Sequence, residues 1–154
     1  MYTTDDLKPS PMVTEFLNNK DWGIKTSHFT STIKRLTKTI RLPEGILNVI
    51  FVNDHYIQAL NKKYRAIDKP TDVLSFSYID ELEEESDQLI GEVYVSVETA
   101  KKQAKEHKVN LDDELTKLIV HGILHVYGYD HEVDEDFKVM HGLERQVLGE
   151  LADK

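Results

Sequence analysis

Three histidines in the last third of the chain could share one chemical task. His121 and His125 stand four residues apart, and His131 follows six residues later, just beyond Gly128. Side chains four apart on a helix project from one face, a turn apart, and a turn at Gly128 can swing the third imidazole back beside them. Three neutral imidazoles with a fourth position open describe a catalytic zinc site rather than a closed structural one. The segment from 115 to 126 is otherwise almost wholly apolar (Leu115, Leu118, Ile119, Val120, Ile123, Leu124, Val126). Two imidazoles in such a helix need buried partners, and one metal ion satisfies both. A histidine pair alone at this spacing more often bonds backbone carbonyls; the apolar setting and the third histidine decide for a metal. One Zn2+ per chain is therefore expected, although imidazoles also accept Ni2+ and other borderline metals.

The spacing H-x3-H-x5-H, with glycine seven after the first histidine, is also that of the metzincin proteases. Those enzymes carry glutamate directly after the first histidine as general base, a position held here by Gly122. The site reads as hydrolytic, and a metallopeptidase is the weakest of its readings.

The elements that must position this cluster follow from patterning. At 154 residues the chain fits one domain, 1–154, with a single core. It has no cysteine, so a metal site must use nitrogen and oxygen ligands. No apolar run reaches the length of a membrane span, and the first twelve residues lack the basic-then-apolar pattern of a secretory signal; a cytoplasmic protein without a membrane partner is expected. The net charge of −9 argues at face value against nucleic acid, but six of the acidic residues fall between Asp80 and Asp87. Such a block reads as a solvated loop. Elsewhere Lys34, Arg35, Lys38 and Arg41, then Lys62, Lys63, Arg65 and Lys69, form two basic groups, each compatible with an ordinary solvated helix face.

Residues 11–18 predict a first short helix, on the spacing of Val13, Phe16 and Leu17, and Phe29, Ile33, Leu36 and Ile40 stripe a second. Residues 46–52 are apolar and branched, a buried strand. Asn53 or Asp54 then caps a helix to about Tyr64. Residues 73–79 and 89–95 read as two more strands, flanking the acidic loop. Ser96 caps a helix to about His107; helices at 111–127 and about 135–148 follow, the last burying Phe137, Met140, Leu143 and Val147. The order α-α-β-α-β-β-α-α-α predicts an α+β domain: a small mixed β-sheet packed with helices, with the metal-binding helix central.

Three blocks carry a family resemblance. They are His121-Gly-Ile-Leu-His-Val-Tyr-Gly-Tyr-Asp-His131, with Met140 and Glu144 beyond it; Leu60-Asn-Lys-Lys-Tyr-Arg65, followed by Asp68-Lys-Pro-Thr-Asp-Val-Leu-Ser-Phe76; and Ile90-Gly-Glu-Val-Tyr-Val-Ser96. In this order they resemble the signature of the YbeY family of bacterial and organellar rRNA-maturation factors. The resemblance implies a single-strand-specific, metal-dependent endoribonuclease acting in 16S rRNA 3′-end maturation and ribosome quality control. Its partners would be single-stranded RNA, the small ribosomal subunit and its assembly factors. It implies zinc on His121, His125 and His131, and an arginine important for activity at Arg65. Where the family commonly has Gly-Asp-Ile this chain has Gly91-Glu92-Val93, which keeps a carboxylate on a longer arm.

In that chemistry Arg65 would grip the scissile phosphate with its planar fork; its bland reading is a helix-end arginine paired with Asp68. The general base stays open between Glu92, Asp130 and the RNA's own 2′-hydroxyl, and Asp130 could instead accept a proton from a ligand histidine. His28, His55, His107 and His141 read as structural or exposed; Tyr127 and Tyr129 flank the site and could stack on a base, although core packing is the more ordinary use. A competing function is a ribosome assembly factor whose zinc mainly holds the fold.

Overall fold

A computed structural model describes residues 12–40, 44–82, 88–128 and 134–149, the side chains of 134–137 and 140 excepted. The branched, apolar run Gly45–Val52 (β2) is central to the sheet, with Leu47, Val49, Ile50, Phe51 and Val52 all buried. It pairs in parallel with Met12–Leu17 (β1) on one side and Leu89–Ser96 (β4) on the other; Val73–Ser77 (β3) closes the sheet as an antiparallel edge on β4. The order is β1-β2-β4-β3. Five helices are described: Ser27–Thr39 (α1), Asp54–Arg65 (α2), Val97–His107 (α3), Leu111–Val126 (α4) and Asp134–Leu148 (α5). The fold is α+β, a mixed sheet with helices on it.

The caps expected from sequence form. Asn53 accepts from the Tyr56 amide at 2.8 Å, and Ser96 accepts from Thr99 at 3.3 Å. Asn110 caps α4 in the same way, at 2.8 Å from the Asp113 amide. Phe29, Ile33 and Leu36 of α1 join Leu115, Ile119 and Ile123 of α4 and Val147 of α5 in the main core on one sheet face. The other face is covered by α2, whose Ile57 packs on Ile50, Val52 and Leu74.

One expected element is different. Residues 11–18 do not supply a helix: Met12–Leu17 is a strand, paired with β2 from Met12↔Gly45 to Leu17↔Ile50. Val13 and Leu17, two of the three residues behind the helical reading, are exposed. Phe16 instead turns toward Phe29 and Phe51, at ring distances of 5.9 and 6.4 Å. Helix nucleation is costly for so short a segment, whereas a ready strand edge satisfies its backbone at once. The strand at 73–79 also stops early, at Ser77, before a 3-10 turn at Ile79–Glu81. In α5, Val147 and Leu148 are buried and Leu143 is half-buried; the Phe137 and Met140 side chains lie outside the description. Among the described residues no helix is long and apolar enough to cross a membrane.

Candidate metal centre

The helix that carries the histidines is held to the sheet at its backbone. A Cβ at Gly122 would stand 2.5 Å from Val93 Cγ1, and one at Gly91 of β4 would stand 2.6 Å from Val126 Cγ1. Both glycines are thus required by close approach, one turn of α4 apart. Two hydroxyls of the edge strand add ties: Ser75 Oγ donates to the Gly122 carbonyl at 2.9 Å and Ser77 Oγ to the Val126 carbonyl at 2.6 Å. The second satisfies a carbonyl at the helix end, where intrahelical partners run out. Asp112, Asp113 and Glu114 occupy the first turn, matching the positive end of the helix dipole. Rotation and axial position of α4 are therefore fixed before any metal is considered.

On the helix so placed, His121 and His125 converge. Their Nε2 atoms are 3.1 Å apart, with ring centroids at 4.6 Å and planes at 72°. Two nitrogens bound at about 2.0–2.1 Å to one tetrahedral zinc would be separated by about 3.3 Å, so the pair is close to the spacing of two ligands. Behind His121, its Nδ1 lies 3.5 Å from Glu144 Oε2 of α5. Ligand histidines commonly present the second ring nitrogen to a carboxylate, which orients the ring and raises its basicity. The donor set and its backing carboxylate fit a borderline divalent metal. His131 and Asp130 lie outside the described residues.

Gly122 also explains why the protease arrangement is absent. Its side-chain direction points into Val93, Ser75 and Val73, so a glutamate directly after His121 has no room there.

Arg65, the last residue of α2, reaches the same edge strand. Its Nη2 donates to the Ser75 carbonyl at 2.8 Å, and its guanidinium stands 5.8 Å from the Phe76 ring centroid. Ser75 therefore touches both functional elements, Arg65 through its carbonyl and α4 through its hydroxyl. Asp68, the expected structural partner of Arg65, is engaged instead by Gln58 at 3.0 Å and Lys62 at 3.9 Å. Arg65 itself is exposed.

Glu92 does not join the histidines. Its neighbours Gly91 and Val93 contact α4, and alternation along a strand sends Glu92 to the opposite face. There it accepts from Tyr78 Oη at 2.6 Å and Tyr94 Oη at 3.2 Å. Burial, then the hydrogen bond to Glu92 and its charge, push the Tyr78 phenol up to about 12. Tyr94 is raised too, by burial first and the Glu92 charge second. Both phenols remain donors at neutral pH, and the sheet separates their carboxylate from the imidazoles.

Glu144 is the site residue that sequence reasoning left without a role. It was visible only as part of a motif, because its approach to His121 depends on how α5 packs. Of the other histidines, His107 pairs through Nδ1 with buried Glu114 at 2.7 Å and His28 lies 3.4 Å from Asp113, both structural contacts.

Comparison with known proteins identifies the family. The model of the family described as Endoribonuclease YbeY matches residues 16–152. Among relatives carrying that name, the one from Pelotomaculum thermopropionicum is 43% identical over 112 residues, covering 70% of this chain and 73% of its own. That from Malacoplasma penetrans is 40% identical over 139 residues, 87% of each chain. The solution structure of TM1509 from Thermotoga maritima superimposes with a TM-score of 0.58 at 30% identity, covering 92% of this chain and 93% of that one. With the histidine pair, the arginine and the glycine contacts in place on this fold, the chain belongs to the YbeY family of endoribonucleases.

Proposed function

We propose that this chain is a metal-dependent endoribonuclease that cuts single-stranded RNA and acts in 16S rRNA 3′-end maturation and ribosome quality control, in the cytoplasm. The observation that carries the reading is the 3.1 Å convergence of the His121 and His125 nitrogens on a helix whose Gly122 carbonyl is tied to Ser75, the residue that also holds Arg65. The names of the relatives supply the substrate class.

His121 and His125, with His131 as third ligand, would hold one Zn2+, with Ni2+ the alternative. When bound, such a metal supplies Lewis acidity toward a phosphate oxygen. Arg65 offers a planar pair of N–H groups to the same phosphate, a geometry that lysine cannot copy. Its bond to the Ser75 carbonyl holds the guanidinium in place without neutralising it. Gly122 and Glu92 are both unsuited to act as base, which leaves Asp130 or the RNA's own 2′-hydroxyl; attack by the latter needs no protein nucleophile. The net charge of −9 suggests that the small ribosomal subunit and its assembly factors contribute to placing the RNA.

The test is cleavage of a defined single-stranded RNA by zinc-loaded protein, beside Arg65→Ala and metal-stripped samples. Cleavage by the first alone, with a cyclic phosphate on the product, supports the reading and the 2′-hydroxyl route. Equal behaviour of all three would overturn it and favour an assembly role. Because glycine contacts and serine ties hold α4 independently of metal, stripping is expected to silence the protein and leave its circular dichroism and unfolding midpoint nearly unchanged. An assembly factor held together by zinc would unfold instead.

A further inference from the structure

Away from the histidines, a cavity of about 370 Å³ opens at the carboxyl ends of β1 and β2. These adjacent strands are parallel, and the chain leaves them toward opposite faces. From β1 it passes to α1, whose Phe29 packs against Phe16 and Phe51; from β2 it passes to α2, whose Ile57 packs against Ile50 and Val52. Parallel strands whose connections diverge leave a crevice at their carboxyl ends, the usual place for a ligand in open sheets with parallel strands. The histidine pair lies elsewhere, on the helix that crosses Gly91 and Val93 near the other edge.

The lining narrows the ligand. Strand ends Ile50 to Val52 contribute apolar surface, and the rings of Trp22 and Tyr56 add aromatic area beside it. Tyr56 is 51% exposed and backed by Tyr94, with ring centroids 6.2 Å apart and planes at 25°, so it presents a supported flat surface. Asp21 adds an acceptor without a donor, and Asn53, whose Oδ1 is committed to the Tyr56 amide, has its NH2 group left to donate. Flat, apolar on its faces and hydrogen-bonding on its edge describes a nucleobase.

We propose that this crevice binds a nucleobase, stacked on Tyr56 and read along its edge by Asp21 and Asn53. An acceptor-only carboxylate favours bases with an exocyclic amino group, so adenine, cytosine and guanine should bind better than uracil. The proposal rests on the ribonuclease reading only for one source of the base, an unpaired residue of the RNA held away from the cut phosphate; a free nucleotide shares the same chemistry.

Trp22 is the only tryptophan of the chain and lines this cavity, so its fluorescence provides a local signal for binding there. The experiment titrates the zinc-loaded 154-residue chain with AMP, CMP and UMP, and separately with a short 2′-O-methylated single-stranded oligonucleotide, which resists attack by its own hydroxyl. AMP and CMP should change Trp22 emission saturably, with UMP roughly ten-fold weaker. Tyr56→Ala should weaken AMP roughly ten-fold, and Asp21→Asn should bring CMP and UMP together. An oligonucleotide response that AMP competes away assigns the base to RNA; a response to AMP without one assigns it to a free nucleotide. Emission unmoved by any nucleotide overturns the proposal, as does a response equal in Tyr56→Ala, or one given only by an arginine-rich peptide. Since the readout is binding, it succeeds or fails separately from cleavage, which is scored on unmodified RNA.

Discussion

On one face of the sheet, α4 meets β4 with glycines at both contact points and two serine hydroxyls on its carbonyls. On the other, α2 meets β3 and β4 through rings: Tyr64 and Tyr94 lie edge-on to Phe76 at 5.1 and 5.8 Å, and Tyr56 stacks on Tyr94. Backbone-to-backbone contact leaves no slack, whereas aromatic side chains can shift to absorb a change. The histidines sit on the tight face, where a displacement of α4 would move both imidazoles at once. Glu92, the family-motif carboxylate, sits on the adaptable face, where one methylene more is taken up by two tyrosine donors. The helix that carries the histidines and a structural polar cluster thus meet the same strand, β4, from opposite faces, divided by side-chain parity.

The sharpest way to test that division is at the residue that bridges the two faces. Arg65 leaves α2 on the aromatic side yet bonds Ser75, which is tied to α4. Arg65→Ala should lower kcat on single-stranded RNA by about 10²–10³-fold, the usual cost of losing a donor to developing charge, with zinc binding and thermal midpoint little changed. Arg65→Lys should recover only a small part, since an ammonium cannot present two parallel donors. Loss of zinc in Arg65→Ala would show that the arginine is structural.

Next comes the tight contact itself. Gly122→Ala gains about 1 kcal/mol of helix propensity, but its new methyl meets the stiff, fully buried Val93 at 2.5 Å. Overpacking of this kind costs about 1–3 kcal/mol, so urea unfolding should show a net loss and zinc affinity should fall with it. The matching change on the other face, Phe76→Leu, should also cost stability, yet leave zinc affinity alone. Equal effects of the two on zinc would erase the distinction between the faces.

A smaller effect on the metal is expected from Glu144→Gln. The carboxylate behind His121 orients one ring, and loss of such a partner weakens metal binding about 10–100-fold. Competition with a zinc-responsive chelator measures it, and an unchanged affinity would mean that the 3.5 Å contact does nothing for the ligand.

How far the sequence foretold these contacts depends on their reach along the chain. The histidine pair was legible because i and i+4 on one helix is a local relation, and the caps at Asn53 and Ser96 were legible for the same reason. β1 was not, since its conformation comes from pairing with β2 some thirty residues away, while its apolar spacing fits a helix equally well. Ser75 bonds a carbonyl 47 residues on, and no local pattern marks a serine for that. The alternation in β4 shows that Glu92 and Val93 face apart. Which of those faces receives the histidine helix is settled only by packing, so the sequence could offer Glu92 no more than as one candidate base among several.

The smallest expected effect is therefore the most discriminating for Glu92. Tyr78→Phe removes the 2.6 Å donor to its carboxylate on the aromatic face. It should cost about 1 kcal/mol at neutral pH and leave both kcat and zinc affinity within error of the parent. Its signature lies in alkaline solution. The folded phenol titrates near 12 against 10.0 for the ordinary group, so between those values the unfolded chain has released a proton that the folded one retains. Stability contributed by this phenol is present in full below pH 10 and is lost as pH rises through the folded value. Removing it should flatten the fall of unfolding free energy over that interval, measured by urea titrations at stepped pH. If cleavage falls together with this slope, the Glu92 cluster is coupled to the metal face after all, and the division of the strand by parity fails.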